Sequence, residues 1–135
     1  MTMLEFINYS VSLNNTNTAL IKDISFNLEK AQSLGIVGES GSGKSLTALS
    51  ALGLLNRRIF STKGQVLVNR RNIYELSDSD LNNIRGNEIS MIFQEPMLSL
   101  NPVKTLHSQI SECVELSDLN LDENDIKNSL SSVGL

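Results

Sequence analysis

Alternating apolar and polar residues occupy the start of the chain and predict β-strands there. Residues 3–11 and 19–28 both alternate, and the asparagines among residues 14–17 are turn-forming residues. Two strands joined by so short a polar turn predict an antiparallel hairpin. Residues 33–37 then form a short apolar run that leads into a glycine-rich loop, which is typical of a buried strand feeding a functional turn.

Helical periodicity begins at the end of that loop. Residues 44–55 contain no proline, and leucines recur at helical spacing up to Asn56, where we expect the helix to stop. Two further helices are predicted near the other end of the chain, at residues 105–116 and 122–133. Gly134 supplies the stop signal for the second of them.

A short helix and two short strands are predicted in between. Ser77 and Asp80 have the spacing of a capping box, so the helix should begin there and end near Gly86. The strands are expected at residues 64–69 and 88–93. Because strands alternate with helices, the sequence predicts an α/β domain with a mostly parallel sheet.

The predicted sheet lacks strands for a layered domain. Few buried parallel strands are visible, and Pro96 and Pro102 exclude regular structure from the segment QEPMLSLNP. We therefore expect apolar surface to remain exposed, which would make the chain marginally stable or prone to aggregation.

Composition and charge exclude several classes of function. Hydrophobic residues make up 40% of the chain, charged residues 19%, and the net charge of −4 comes with no basic patch, so we expect no nucleic-acid partner. A single cysteine, Cys113, excludes an internal disulfide and is expected to be buried on the apolar side of its helix. The chain shows neither a signal-peptide pattern nor roughly 18 consecutive apolar residues, which predicts a cytoplasmic protein that meets a membrane only through a partner.

The glycine-rich loop carries the most specific signal in the sequence. It matches the pattern G-x-x-x-x-G-K-[ST] in full, through Gly38, Glu39, Ser40, Gly41, Ser42, Gly43, Lys44 and Ser45. Its glycines permit backbone conformations closed to other residues, and its N–H groups converge on an anion at the positive end of the following helix. Lys44 is expected to reach the β- and γ-phosphates of a nucleotide, and the Ser45 hydroxyl to bind Mg²⁺.

Two features narrow the class of nucleotide-binding protein. Thirty-seven residues precede the loop, whereas a small GTPase usually meets its phosphate loop at the first strand. Gln94 lies fifty residues after Lys44, at the end of an apolar run, where an amide could ligate Mg²⁺ or orient the attacking water. A glutamine at a strand end is also commonly a surface amide, and the residues alone leave both interpretations open.

The run LGIVGESGSGKS, followed by ISMIFQEPMLSLNP, resembles the nucleotide-binding subunit of ABC transporters, and within it the subfamily that powers peptide importers. The resemblance implies a P-loop NTPase fold, with a RecA-like core and an N-terminal antiparallel β subdomain, cut within the start of a helical subdomain. Residues 1–30 would form the antiparallel part, 31–100 the core as far as the Q-loop, and 101–135 the start of the helical subdomain.

The resemblance also implies roles and partners. Gly38 to Ser45 would be the Walker A loop for ATP, and Ser45 and Gln94 would be ligands of Mg²⁺. Gln94 would couple the ATP site to transmembrane permease subunits, whose coupling helix would be received by residues 95–102. A second ATP-binding domain would complete the assembly at the inner face of the plasma membrane.

Two positions depart from the family pattern. An aromatic residue that stacks on adenine is replaced by Leu13, which offers only an apolar contact, while the nearby Tyr9 matches an apolar core position. A Gly-Glu turn before the phosphate-loop strand is Ala31-Gln32 here.

Several motifs of the family do not occur in these residues: an LSGGQ-like motif, an acidic Walker B strand and a switch histidine. His107 is expected to be a surface helix residue, and none of Glu39, Glu88 and Glu95 ends a strand of the Walker B type. We therefore expect an N-terminal fragment with little or no ATP turnover of its own. Two alternatives stay open, a non-catalytic module that binds nucleotide or a transporter subunit, and an ABC ATPase of translation or repair.

Overall fold

The structure is a computed structural model that describes residues 1–16, 18–95, 99–115 and 121–134. The chain divides into two compact units, Met1–Ser90 and Met91–Leu135. Three predictions fall outside the described residues: the turn residue Asn17, positions 96–98 of the proline-containing segment, and the end of a helix at Leu116.

The first unit contains one sheet and two helices. Its elements in chain order are β1 (Thr2–Leu13), β2 (Ala19–Glu29), α1 (Lys44–Ala51), β3 (Phe60–Val68), β4 (Arg71–Asn72) and α2 (Asp78–Ile84). The sheet has the order β2-β1-β3-β4, and every pairing in it is antiparallel. The predicted hairpin is therefore confirmed, whereas the predicted parallel sheet is wrong for the part of the chain that the structure describes.

A bulge allows β1 to bury one face. Phe6 and Tyr9 are both buried although three positions separate them, and a regular strand would place them on opposite faces. The pairing register shifts between these two residues, and Asn8 there has a φ of 46°. Together with helix and strand residues from the rest of the unit, this face forms the core, which includes Val11, Ala51, Leu55, Val66, Val68, Ile73, Leu81 and Ile84.

Two predicted strands do not form. Residues 33–37 lie outside every strand pairing, and Val37 is 93% exposed. Residues 88–93 contribute one isolated bridge at Ile89, and Ile92 is 92% exposed. Both segments are apolar, but a strand also needs a neighbour for its backbone N–H and C=O groups, and no other described strand pairs with them.

The first helix is shorter than predicted. It ends at Ala51 and not at Asn56. Gly53 follows with a φ of 63°, and the amides of Gly53 and Leu54 donate back to the last turn at 3.1 and 3.0 Å, in a Schellman motif. The stop signal is thus the glycine, which adopts the left-handed conformation without strain.

The second helix begins and ends close to its predicted limits. The hydroxyl of Ser77 accepts a hydrogen bond from the Asp80 amide at 3.2 Å and caps the helix. The helix ends at Ile84, two positions before Gly86.

The second unit contains α3 (Leu106–Glu115) and α4 (Glu123–Ser132), and Asp122 starts the latter with a capping box. Neither helix has a buried residue. His107 is exposed as expected, but Cys113 is exposed too, so its predicted burial is wrong. The other described helix of this unit, α4, does not cover the side of α3 that carries Cys113. None of the described helices is both long and apolar enough to cross a bilayer.

Candidate phosphate-binding site

The loop from Gly38 to Ser45 has a backbone that only its glycines allow. Gly41 and Gly43 have φ values of 80° and 94°, in the left-handed region. A Cβ atom at Gly38 would lie 2.6 Å from the Oγ of Ser42. Because its glycines carry no side chains, the loop lets an anion approach its N–H groups closely.

The ammonium of Lys44 is held by the loop itself. Its Nζ donates to the carbonyl oxygens of Gly38 and Glu39 at 2.8 and 2.6 Å, and to the Ser42 hydroxyl at 3.5 Å. All three acceptors are neutral, and hydrogen bonds to an ionised acceptor are stronger. A phosphate oxygen would therefore compete well for this charge.

The start of α1 lies directly against β2. A Cβ at Gly43 would come within 3.3 Å of the Cγ1 of Ile21, so glycine is what lets the helix begin this close to the strand. The first intrahelical hydrogen bond runs from the Thr47 amide to the Gly43 carbonyl, at 2.8 Å. Among the described residues, no side chain caps the start of this helix, and the amides before Thr47 have no intrahelical acceptor. They form the positive end of the helix dipole.

Apolar residues form one wall beside the loop. A cavity of about 510 Å³ lies between the loop and β2. Its lining combines polar loop atoms of Ser42 and Lys44 with apolar side chains of β2 and of the preceding segment, including Leu20, Ile21, Leu34, Ile36 and Val37. Ser45, in the first turn of α1, is exposed.

The other end of α1 is held by two side chains that the sequence did not single out. The Tyr74 hydroxyl donates to the carbonyl of Ser50 at 3.2 Å. Arg85 donates to the carbonyls of Leu52 and Gly53, both at 2.9 Å. No sequence motif indicates either residue, because each donates to a backbone carbonyl more than twenty positions away in the sequence.

Tyr9 is a core residue, as predicted. Its side chain is 0% exposed, and its hydroxyl lies 2.7 Å from that of Tyr74. Burial raises the pKa of the Tyr9 phenol far above its ordinary value, so the group stays neutral. Leu13 is half-buried at the end of β1, opposite Phe60 of β3. Its predicted contact with adenine stays a prediction.

Gln94 belongs to the second unit and is exposed there. It lines an open depression of about 640 Å³ together with Phe93, Glu95 and Ser99. Further along, the amide of Gln109 fixes the loop before α3, accepting from the Asn101 amide at 2.8 Å. The same side chain donates to the carbonyls of three loop residues, Asn101, Lys104 and Thr105.

Of the acidic residues that the sequence singled out, Glu88 forms an ion pair. Glu88 accepts from the Arg71 guanidinium, with which it forms an ion pair, and from the Asn69 amide at 2.6 Å. These partners lower the pKa of Glu88, the guanidinium having the larger effect. Glu39 and Glu95 are exposed. Among the described residues, no group of three His, Cys, Asp or Glu side chains could hold a metal ion.

Comparison with known proteins decides the family. The family model described as ABC transporter matches residues 21–135 of the chain. The chain belongs to the ABC transporter family. It is an ABC ATP-binding domain and therefore a small α/β P-loop NTPase domain, and its glycine-rich loop has the sequence pattern of a P-loop.

Relatives of this ABC domain carry names from peptide transport. A probable peptide ABC transporter ATP-binding protein of Sinorhizobium fredii is 47% identical over 100 residues, which cover 73% of this chain and 30% of the relative. A dipeptide transport ATP-binding protein of Lactococcus lactis is 49% identical over 92 residues, or 68% of this chain and 26% of the relative. An uncharacterized ABC transporter ATP-binding protein of Escherichia coli is 42% identical over 118 residues, covering 85% and 22%. The chain thus spans about a third or less of the curated relatives it matches.

Proposed function

We propose that this ABC domain binds MgATP through residues 38–45, as part of an importer ATPase whose cargo is peptide. The observation that carries the proposal is the loop geometry, in which left-handed glycines, an uncapped helix start and the Lys44 ammonium lie together in one exposed turn. Each of these features favours a phosphate group. The names of the relatives support the choice of peptide as the cargo.

The loop residues would divide the work of binding. The amides at the start of α1 would donate to phosphate oxygens, and Lys44 would exchange its present acceptors, the carbonyls of Gly38 and Glu39, for the β- and γ-phosphates. Ser45 would supply one hydroxyl ligand to Mg²⁺, and Gln94 a second oxygen ligand. The metal would neutralise charge on the phosphates and orient them. Leu13 would give the adenine ring an apolar contact only.

The wider assembly is part of the same proposal. Residues 1–30, 31–100 and 101–135 would be the antiparallel part, the RecA-like core as far as the Q-loop, and the start of the helical subdomain. In the whole protein, ATP hydrolysis would drive transport through permease subunits, with a second ATP-binding domain beside this one, at the inner face of the plasma membrane. The exposed residues around Gln94 and the loop fixed by Gln109 would face the permease.

Calorimetric titration with MgATP tests the proposal. We expect Lys44→Ala to raise Kd by roughly 10- to 100-fold, because a hydrogen bond to a charged group is worth about 1.5–3 kcal/mol. Lys63→Ala is the matched control, since it removes the same charge from an exposed position of β3 outside the loop. Wild-type protein that takes up no MgATP, or equal losses in the two variants, would rule out the proposed site.

A further inference from the structure

The carbonyl end of α1 is gripped by a guanidinium from another element. Arg85 follows the last residue of α2, and its Nε and Nη2 donate to the carbonyl oxygens of Leu52 and Gly53 at 2.9 Å each. Leu52 and Gly53 directly follow the last residue of the P-loop helix, and Gly53 is the left-handed residue of its Schellman turn. The planar fork of an arginine suits two adjacent acceptors, and its charge complements the negative end of the helix dipole.

Arg85 is itself held in place. Its Nη1 donates to the Oδ1 of Asn82 at 3.3 Å, and its neighbours on α2, Leu81 and Ile84, are buried in the core. The fit to α1 is close, because a Cβ at Gly53 would lie 3.2 Å from a Leu81 methyl and 3.6 Å from the Arg85 Nη2. The guanidinium therefore couples the position of α2 directly to that of the end of α1.

A short helix moves as one rigid rod, so a displacement at one end also displaces the other end. With eight residues, α1 is about 12 Å long, so a tilt at its carbonyl end also moves the amides and the Lys44 side chain at its start. At its start, a Cβ added to Gly43 would lie only 3.3 Å from the Cγ1 of Ile21, so the helix is closely packed on β2 there. Both ends of α1 are thus fixed, one by packing and the other by hydrogen bonds.

We propose that Arg85 is a positioning residue for phosphate binding. It holds the carbonyl end of α1, and thereby keeps the amides at the other end of the helix and the Lys44 ammonium in position to bind the phosphates. This inference rests on the proposed binding of MgATP. Arg85 lies outside the P-loop and would act on the ligand only through α1.

Two measurements on the same samples test the role. The first is the Kd of MgATP, and of magnesium tripolyphosphate as a ligand with no base, for wild type, Arg85→Met and Arg85→Lys. We expect Arg85→Met to raise both Kd values by about tenfold, since small misplacement of binding groups is costly. Arg85→Lys keeps the charge but loses the fork, so it should recover part of the loss. The second measurement is amide hydrogen exchange without ligand, which should speed up at residues 47–51, the hydrogen-bonded amides of α1, in Arg85→Met and leave the β1 and β3 amides unchanged.

The matched control is Arg71→Met, which removes an arginine that pairs with Glu88 and makes no hydrogen bond to α1 among the described contacts. It should lower stability while leaving both Kd values within about twofold of wild type. Unchanged Kd values and exchange rates in folded Arg85→Met would overturn the positioning role. If Arg85→Met does not fold, Arg85→Lys decides, and affinity equal to wild type would overturn it. Failure of wild type to bind MgATP would instead refute the proposed function.

Discussion

Gly64 occupies a point where the sheet leaves no room for a side chain. It lies in β3 beside the bulge of β1, has a φ of 82°, and a Cβ there would sit 2.3 Å from the Asn8 carbonyl oxygen. The bulge in turn allows Phe6 and Tyr9 to share the buried face of β1. A single glycine thus supports the core on which α1 rests.

We expect Gly64→Ala to lower the free energy of unfolding by about 2–4 kcal/mol, because it adds backbone strain and a clash with a main-chain atom. Gly86→Ala is the control, since Gly86 has a similar φ of 85° but nothing within 4 Å of the added carbon. That control should cost only about 1–2 kcal/mol. Urea denaturation compares the two, and equal losses would show that the contact with Asn8 is unimportant.

Glu88 makes stability depend on pH. Its carboxylate is favoured by Arg71 first and by Asn69 second, so its pKa is lower in the folded state than in the unfolded chain. A group of this kind stabilises the fold above its unfolded pKa of about 4.5, and the contribution disappears as pH falls through the folded pKa. We expect Glu88→Gln to flatten the decline of unfolding free energy below pH 4.5, measured by denaturation at several pH values.

Part of the acid sensitivity should remain in Glu88→Gln. Glu29 also has a lowered pKa, caused by the Met1 amine first and by Thr2 second. A variant that declines below pH 4.5 as steeply as wild type would contradict the assignment to Glu88.

At the scale of elements, local signals located the hairpin and the helix caps. Ser77 and Asp122 begin their helices as predicted, because capping depends on residues three positions apart. The prediction of strands at residues 33–37 and 88–93 is wrong, because a strand needs a paired neighbour that local sequence does not specify. The helix α1 ends before the predicted Asn56 because Gly53 takes a left-handed φ of 63° and forms the stop.

In the candidate site, too, local sequence predicts the consecutive residues but not the contacts between distant ones. Residues 38–45 are recognised from sequence because the loop, its glycines and its lysine are consecutive. Tyr74 and Arg85 could not be found in this way, since their acceptors are carbonyls of α1, and every residue has a carbonyl. Only the fold brings these donors to the end of the P-loop helix.

The β3–β4 turn offers a stabilising change. Its central residues, Asn69 and Arg70, both have positive φ, at 47° and 66°, which is the requirement of a type I′ turn. We expect Arg70→Gly to stabilise the protein by about 0.5–1 kcal/mol, because glycine adopts this conformation without strain. Thermal unfolding measures the gain.

Asn69→Gly is the matched control in that turn. It should not stabilise, because it also removes the amide that donates to Glu88 at 2.6 Å. A lower melting temperature for Arg70→Gly than for wild type would contradict this account of the turn.

At the scale of the whole molecule, apolar residues stay exposed in both units. Leu34, Ile36 and Val37 flank the P-loop in the first unit, and Ile92 and Phe93 precede Gln94 in the second. The expectation of exposed apolar surface is therefore confirmed. These exposed residues belong to the two segments that were predicted as strands, 33–37 and 88–93. The chain spans at most about a third of the length of the relatives it matches.

The most direct test of the account follows backbone amides by nuclear magnetic resonance while MgATP is added to ¹⁵N-labelled protein. The account predicts that the largest shifts occur at Gly41, Gly43, Lys44 and Ser45, where the N–H groups converge at the start of α1. The same titration of Lys44→Ala should need a higher nucleotide concentration. Shifts confined to the strands, or an identical titration curve for the variant, would contradict phosphate binding by this loop.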